Sequence, residues 1–252
     1  MQNEKIVVLI PAYNPTEDLI PLVNSLLNNE FIVVIVNDGS LERTKYIFDK
    51  LDKKRITFLV HDINKGKGQA LKTGLEYIYN NLPCRGVITA DADGQHIIED
   101  IIKISEALKE NDNCLILGSR FDTDSMPLGS KFGNRITRFV FRLATHKKVY
   151  DTQTGLRGIP FNYIKDFCSI PGQRYEYEIN MLIYATKKKI NIKEIGIHSI
   201  YIDNNKASSF HPFRDSYKIY KCIFKYSYLK IAFPCIITII ILLIIMLLIF
   251  IQ

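Results

Sequence analysis

The sequence predicts an α/β fold built on a mainly parallel, doubly wound sheet. Short apolar runs rich in β-branched residues alternate along the chain with longer stretches of helical periodicity. Polar turn residues follow these runs, where open α/β sheets bind their ligands. With 252 residues, the chain is long enough for one domain with a complete core and a smaller appendage.

Five apolar runs are predicted to be strands, and the stretches that separate or follow them are predicted to be helices. The strands are expected at Ile6–Ile10, Phe31–Val36, Ile56–Val60, Val87–Thr89 and Cys114–Leu117. The helices are expected at Glu17–Asn28, Glu42–Leu51, Gln69–Tyr79 and Ile97–Lys109. Strands that alternate with helices of this length form parallel sheets, because each crossover returns the chain to the same edge.

The C-terminal residues 231–251 are predicted to form one transmembrane helix. They contain no charged residue, and Thr238 is their only polar side chain. A helix in water needs a polar face, whereas a stretch of ~20 apolar residues is what a bilayer span requires. We therefore expect a membrane-anchored protein.

The preceding residues 211–230 are predicted to form an amphipathic helix next to the membrane. Its basic side chains share one face, opposite an apolar face. The basic residues are Arg214, Lys218, Lys221 and Lys225, and the apolar residues are Ile219, Tyr220 and Ile223. Such a helix is expected to lie on anionic lipid.

The charge distribution predicts that the main domain, residues 1–210, is cytosolic. Basic residues precede the predicted span and only Gln252 follows it, which is the bias of cytosolic flanks. The apolar run Ile6–Ile10 is too short for a secretory signal. Although the net charge is +7, no nucleic-acid module is recognisable, so membrane lipid rather than nucleic acid is the expected partner.

The cysteines are expected to be reduced thiols. They are odd in number and form no C-x-x-C pair, so neither a disulfide framework nor a zinc site is predicted. The five are Cys84, Cys114, Cys168, Cys222 and Cys235.

Two carboxylates one residue apart, Asp91 and Asp93, directly follow the predicted strand Val87–Thr89. Residues i and i+2 of an extended segment point the same way, so both side chains can reach one hard cation or its bound diphosphate. The alternative is an ordinary turn, because Asp and Gly are common turn residues. Their place at the carboxyl end of a strand favours a metal and phosphate site.

Other strand ends carry candidate ligand-binding residues. Asp38 can accept hydrogen bonds from a base or ribose, or it can belong to a simple Asp-Gly turn. The segment Asn64–Gly68, which contains Lys65, places cations and backbone amides at the start of a helix, a position that favours anions. Its glycine and lysine spacing is not that of a Walker A loop. Arg120 can make a bidentate phosphate contact or can be a surface residue.

Four further basic residues lie near helical spacing and can form a phosphate-facing stripe or a solvated face. They are Lys131, Arg135, Arg138 and Arg142. We favour the solvated face, with Arg135 as the exception.

Six motifs along the chain together resemble glycosyltransferase family 2. They are VLIPAYN from Val8, VNDGS from Val36, NKGKGQALKTG from Asn64, DADGQH from Asp91, GSRF from Gly118 and DTQTGLRG from Asp151. The resemblance spans roughly residues 5 to 210, and several motifs in family order are far more specific than one. It is strongest to the branch that contains dolichyl-phosphate mannose synthase and bacterial polyprenyl-phosphate glycosyltransferases.

This resemblance implies a GT-A fold, the Rossmann-like fold of nucleotide-diphospho-sugar transferases, and sugar transfer with inversion. It also implies roles for the residues that match the motifs. Pro11, Tyr13 and Asp38 would line the base and ribose, Asp91 would meet donor and metal, Asp93 and Gln95 would hold Mg²⁺ or Mn²⁺, and Arg120 and Arg135 would bind phosphate. Pro15 stands where the family usually carries an acid, although Glu17 and Asp18 follow shortly after.

The segment Gln173–Asn180 resembles the family's acidic helix on the acceptor side, with Glu178 at the acidic position. Transfer to a hydroxyl needs a base, but a lipid phosphate is already largely dianionic at neutral pH. Glu178 is therefore expected to position the acceptor or the metal complex. The alternative is a solvated glutamate at a helix start.

The predicted reaction is transfer of a hexose from a nucleotide-sugar donor to a polyprenyl phosphate at the cytosolic membrane face. UDP-glucose is the first expectation for the donor and GDP-mannose the second. One alternative is a transferase of the same fold that acts on a sugar hydroxyl in polysaccharide or glycolipid synthesis; the Q-x-x-R-W motif of processive synthases is missing. Another is an inactive, membrane-anchored module that binds a nucleotide-sugar.

Overall fold

The computed structural model describes residues 4–121, 128–198 and 212–227. Within them, seven strands form one sheet: β1 (Ile6–Ala12), β2 (Ile32–Asn37), β3 (Ile56–Val60), β4 (Gly86–Thr89), β5 (Cys114–Ser119), β6 (Arg157–Pro160) and β7 (Asn191–Gly196). The α-helices are α1 (Leu19–Asn28), α2 (Lys45–Asp49), α3 (Lys67–Asn81), α4 (Ile98–Glu110), α5 (Leu128–Thr145), α6 (Phe161–Cys168), α7 (Glu176–Lys187) and α8 (Pro212–Tyr226). The five predicted strands and three of the four predicted helices are confirmed, with ends shifted by a few residues. The predicted helix Glu42–Leu51 is instead a 3-10 helix, Glu42–Thr44, followed by the five-residue α2.

The strand order is β3-β2-β1-β4-β6-β5-β7, and the sheet is mixed but mostly parallel. Only β6 runs against its neighbours, pairing antiparallel with both β4 and β5. The apolar pattern did not predict β6 or β7. β6 is a four-residue strand, RGIP, and β7 reads NIKEIG, in which charged side chains interrupt the apolar run.

Both faces of the sheet are covered by helices. Val7 and Leu9 of β1 point to the layer that contains α3, α6 and α7, whereas Val8 and Ile10 point to the layer that contains α1 and α4. Side chains alternate between the faces of a strand, and a strand buried on both faces must be apolar throughout. This explains the continuous apolar run of β1, whose residues are all buried.

The loops that follow β1 and β2 are tied together at the carboxyl edge of the sheet. The backbone N–H of Asn14 donates to Ser40 Oγ at 2.9 Å, and the N–H of Leu41 donates to Asn14 Oδ1 at 2.8 Å. The N–H of Asp38 donates to the carbonyl of Ala12 at 2.8 Å. These contacts place the two predicted ligand-binding loops side by side.

The predicted amphipathic helix, residues 211–230, is described over Pro212–Tyr226 as α8. Its Ile219 and Ile223 are buried in the core together with residues of α5 and α7. Tyr220 OH lies 3.3 Å from Thr137 Oγ1 of α5. The apolar side of α8 therefore contacts protein, and the exposed positions on the other side include Lys221 and Lys225.

The predicted span at residues 231–251 lies outside the described residues. None of the helices in the described ranges is long and apolar enough to cross a membrane.

Candidate active site

A cavity of about 430 Å³ opens at the carboxyl ends of β1, β2 and β4. Five of the predicted site residues line it: Pro11, Tyr13, Asp38, Asp91 and Asp93. They come from three loops that are distant in sequence, but parallel strands end at a common edge. The cavity lining also includes cationic side chains, namely Lys67, Arg174 and Arg214.

Lys67 links the two sides of this cavity. Its Nζ lies 2.7 Å from Asp91 Oδ1 and 3.0 Å from Glu178 Oε1. Burial by itself would lower the pKa of Lys67, but the charges of Asp91 and Glu178 outweigh this and raise it above its usual value. The ammonium therefore stays charged and bridges the loop after β4 to the first turn of α7.

Two glycines allow Lys67 to reach this position. A Cβ on Gly66, whose φ is +100°, would lie 2.5 Å from the carbonyl oxygen of Gln173. A Cβ on Gly68 would lie 2.5 Å from Tyr177 Cβ. Any side chain at either position would push the start of α3 away from α7. The Gly-Lys-Gly segment thus brings the lysine between the two carboxylates.

Glu178 is buried, with 6% of its surface exposed. The alternative of a solvated glutamate at a helix start is therefore wrong. The fully buried Arg157 holds the same part of α7, because its guanidinium donates to the carbonyl of Glu178 at 2.6 Å and to that of Thr154 at 2.9 Å. Arg157, the first residue of β6, thereby connects the loop before that strand to the helix that carries Glu178.

Asp91 and Asp93 differ in their electrostatic surroundings. Burial alone would raise the pKa of Asp91, but Lys67 and His96 hold it well below its usual range. Burial and the nearby charge of Asp91 raise the pKa of Asp93. The backbone N–H of Gln95 donates to Asp93 Oδ1 at 3.1 Å. Asp93 is thus a carboxylate that a nearby positive charge would stabilise.

The residues around Asp91 fit a divalent cation. His96 is buried, its Nε2 lies 3.7 Å from Asp91 Oδ2, and neither of its ring nitrogens has a hydrogen-bond partner among the described residues. Paired carboxylate oxygens are the donors that Mg²⁺ and Mn²⁺ prefer. Over the part of the chain that the structure describes, no three His, Cys, Asp or Glu side chains form a ready-made metal site. A cation held here would need further ligands, such as Gln95 or donor oxygens.

Gly155 packs directly against Asp91. A Cβ on Gly155 would overlap Asp91 Oδ2 and would lie 2.8 Å from Asp91 Cγ. The Thr89 hydroxyl donates to the carbonyl of Gly155 at 2.7 Å, which ties the end of β4 to the same loop. The conformation of Asp91 therefore depends on a glycine at position 155.

Asp38 is buried, and its carboxylate is largely occupied by the protein itself. The backbone N–H groups of Lys65 and Gly66 donate to it at 2.9 and 2.8 Å, and His61 Nδ1 lies 2.7 Å from Oδ1. A carboxylate has about four acceptor sites. The amides before α3, which the sequence predicts to bind an external anion, thus bind Asp38. The Lys65 side chain is exposed and does not line the cavity.

The predicted phosphate-binding arginines lie outside the cavity lining. Arg120 makes a bidentate contact with the fully buried Asp151, at 2.6 Å from Nε and 3.1 Å from Nη2. Arg135 is exposed on α5. The solvated face favoured for this helix agrees with the exposure of Lys131 and Arg142, whereas Arg138 lies 4.6 Å over the ring of Tyr150.

The loop after β1 lacks the acid that the family usually carries after Asn14. Pro15 lines the cavity, but Glu17 and Asp18 do not. Glu17 pairs with Lys50 at 3.2 Å, and Asp18 accepts a hydrogen bond from Thr16 at 2.7 Å. The nearby acids therefore do not replace the missing one.

Sequence reasoning missed several cavity residues. Lys67, Arg174 and Tyr175 were present in the quoted motifs without a role of their own, and Arg214 was expected to face lipid. The two glycines around Lys67 were the available signal, because they indicate a close backbone approach. No comparable local pattern marks Arg174 or Arg214.

The chain is similar to known proteins in sequence and in fold. Residues 7–167 match the family described as "Glycosyl transferase family 2". The chain is 32% identical over 227 residues to a UDP-N-acetylglucosamine–dolichyl-phosphate N-acetylglucosaminyltransferase of Methanococcus voltae, which covers 82% of this chain and 90% of the relative. It is 25% identical to the human dolichyl-phosphate β-glucosyltransferase, covering 82% and 71%.

Among solved structures, the fold is similar to glucosyl-3-phosphoglycerate synthase from Mycobacterium tuberculosis in complex with Mn²⁺, UDP-glucose and phosphoglyceric acid. The TM-score is 0.60 and the identity 15%, with 88% of this chain and 79% of that chain covered. This similarity identifies the architecture as GT-A-like. The family match covers residues 7–167, which is more than half of the chain. The chain therefore belongs to glycosyl transferase family 2.

Proposed function

We propose that this protein transfers a hexose, with inversion, from a nucleotide-diphosphate sugar to a polyprenyl phosphate at the cytosolic face of a membrane. The observation that carries the proposal is the cavity that combines Asp91 and Asp93 with three cationic side chains at the carboxyl edge of the sheet. A charged diphosphate needs both a cation and basic partners. The names of the Methanococcus and human relatives support a polyprenyl-type acceptor.

In this proposal, each part of the cavity has one task. Pro11 and Tyr13 contact the base and ribose, and Asp38 keeps the neighbouring loop in place. Asp91, Asp93 and Gln95 would hold Mg²⁺ or Mn²⁺, which would neutralise charge on the leaving diphosphate. Arg174 and Arg214 add positive charge to the cavity lining, and Arg214 would replace Arg120 as the phosphate contact.

Glu178 acts as a positioning residue in this scheme. Its carboxylate is paired with Lys67, so it is not poised to remove a proton. An acceptor phosphate is largely dianionic at neutral pH and attacks without a base. The bridge from Asp91 through Lys67 to Glu178 would keep donor and acceptor sides at a constant distance.

The membrane part of the proposal rests on the C-terminal sequence. Residues 231–251 would form a single span that keeps the enzyme in the plane where a long-chain acceptor resides. The exposed basic residues of α8, directly before this segment, would face anionic headgroups. The catalytic domain would then lie on the cytosolic side.

The test is a transfer assay with the full chain in detergent. Polyprenyl phosphate is offered with labelled UDP-glucose, UDP-N-acetylglucosamine or GDP-mannose, with Mn²⁺, Mg²⁺ or a chelator, and the lipid is extracted. We expect label in the organic phase with one donor and none after chelation. Nucleotide release without lipid label would indicate a different acceptor, such as a sugar hydroxyl. Binding without metal-dependent turnover would indicate the inactive binding module.

A matched pair of variants tests the assigned metal site in the same assay. Asp93→Asn should reduce turnover on the order of 100-fold, because one charged ligand of the cation is lost. Asp62→Asn is the control, since Asp62 is exposed on a neighbouring loop and does not line the cavity. Unchanged product formation by Asp93→Asn would refute the assignment.

A further inference from the structure

Helix α5 presents a row of large apolar side chains to the outside of the protein. Ile136, Phe139 and Leu143 are 36%, 61% and 49% exposed. Positions i, i+3 and i+7 lie on one face of a helix. The opposite face of α5 is buried and includes Phe141, which is fully enclosed in the core. The exposed row is therefore a second apolar face, beyond the one that the domain needs for packing.

A basic row runs beside this apolar row. Lys131, Arg135 and Arg142 are exposed at positions separated by four and seven residues. Lys147 and Lys148 continue the exposed positive charge just beyond the end of the helix. Residues 128–148 contain no Asp or Glu. This surface, which we call the α5 face, is thus both apolar and uniformly positive.

The composition of the α5 face decides between its possible occupants. A second copy of the chain would bring the same positive charge against itself, and like charges repel. A nucleic acid would match the charge but not a row of aliphatic and aromatic side chains. An anionic bilayer surface matches both, because headgroups attract the basic row while the apolar row enters the boundary with the acyl chains.

The neighbouring helix supports the same occupant. α8 packs against α5, and its exposed residues outside the cavity lining include Tyr217, Lys221 and Lys225. Tyrosine and basic side chains are typical of membrane–water interfaces. Chain continuity also favours this occupant, because the predicted span begins a few residues after α8. A membrane at the end of α8 is therefore near α5 as well.

We propose that the α5 face, with Phe139 at its centre, docks the catalytic domain onto an anionic lipid surface, as a contact additional to the C-terminal segment. The domain would then be held at two places, which restricts its tilt relative to the bilayer. The choice of lipid as occupant rests on the proposed membrane acceptor, but the contact itself needs neither donor nor acceptor.

The test uses the fact that the chain contains no tryptophan. Phe139→Trp introduces a single tryptophan at the centre of the α5 face, which can be excited selectively over the tyrosines. Tyr46→Trp is the matched control, because Tyr46 is an aromatic residue of α2 with 48% exposure. Each full-length variant is reconstituted into phosphatidylcholine–phosphatidylglycerol vesicles with or without brominated phosphatidylcholine, whose bromine atoms quench tryptophan on contact.

We expect brominated lipid to lower the emission of Phe139→Trp by about twofold and to leave Tyr46→Trp unchanged. Vesicles without phosphatidylglycerol should quench Phe139→Trp less. Leu143→Trp should repeat the result if Phe139→Trp folds poorly. Equal emission with and without bromine at both α5 positions would overturn the proposal. Emission that shifts only with the protein-to-lipid ratio would also overturn it, indicating a second copy as the occupant.

The outcome is independent of catalysis. Quenching without lipid-linked product would support the docking surface and refute the proposed transfer reaction. Product formation in the detergent assay without quenching in vesicles would support the transfer reaction and refute the docking surface.

Discussion

Lys67 provides the sharpest test of the site, because it joins carboxylates from two separate segments. Lys67→Met keeps most of the side-chain length but removes the ammonium, which leaves Asp91 and the buried Glu178 without their shared cation. Breaking a buried ion pair costs 3–5 kcal/mol. Lys67 and Asp91 keep 19% and 28% side-chain exposure, so we expect the lower end, a loss of about 3 kcal/mol in the free energy of unfolding.

A double-mutant cycle isolates the contact between Lys67 and Glu178. Glu178→Gln removes one negative charge but leaves the pair with Asp91, so its cost should be about 1 kcal/mol. If the 3.0 Å contact stabilises the fold, the loss in the free energy of unfolding for the double variant should be smaller than the sum of the two single losses by about 1–2 kcal/mol.

The assay is urea unfolding of the full chain in detergent, followed by far-ultraviolet circular dichroism. Lys65→Met is the control, because Lys65 lies two residues earlier but is exposed. Its effect should stay within about 0.5 kcal/mol. Equal stability of Lys67→Met and Lys65→Met, or strictly additive single variants, would refute the bridge.

Three further predictions concern the supports of the site. Gly155→Ala should displace Asp91, cost about 1–3 kcal/mol in stability and weaken UDP binding in calorimetric titration with Mn²⁺; unaltered affinity would contradict this. His61→Leu should lower the free energy of unfolding by about 2 kcal/mol, because it removes the 2.7 Å contact to Asp38; chemical denaturation measures it. Burial raises the pKa of the Cys84 thiol to about 12 from 9.0, so at pH 8 its reactive thiolate is about 1,000-fold rarer than in the unfolded chain. Mass spectrometry should therefore find Cys84 alkylated in urea but protected in the native protein, and equal rates would refute this.

Much of the cavity could be predicted from local patterns. Pro11, Asp38 and Asp91 each lie within two residues of the end of an apolar run, and such runs become parallel strands whose carboxyl ends meet at one edge. Knowledge of the individual strand ends was therefore enough to expect these side chains in one place. Neither the long-range contacts nor the order of the strands was required.

The partners of the charged residues could not be predicted in this way. Lys65 and Lys67 are both basic residues of the same motif, but only Lys67 lies between Asp91 and Glu178. Arg120 follows a strand as expected, but its guanidinium binds Asp151. In each case the deciding neighbour comes from a segment far away in sequence, which local periodicity does not describe.

Hydrophobic periodicity and strand-end chemistry thus determine the α/β class, the main strands and the edge of the sheet that carries the cavity, because these depend on residues close together in the chain. Only the tertiary structure decides that β6 enters the sheet antiparallel, that Glu178 is buried, and that Lys67 rather than Lys65 reaches the cavity. The last two outcomes depend on how closely α3 and α7 approach, which is set by packing at Gly66 and Gly68, whereas the direction of β6 depends on its pairing with β4 and β5, which are distant from it in sequence.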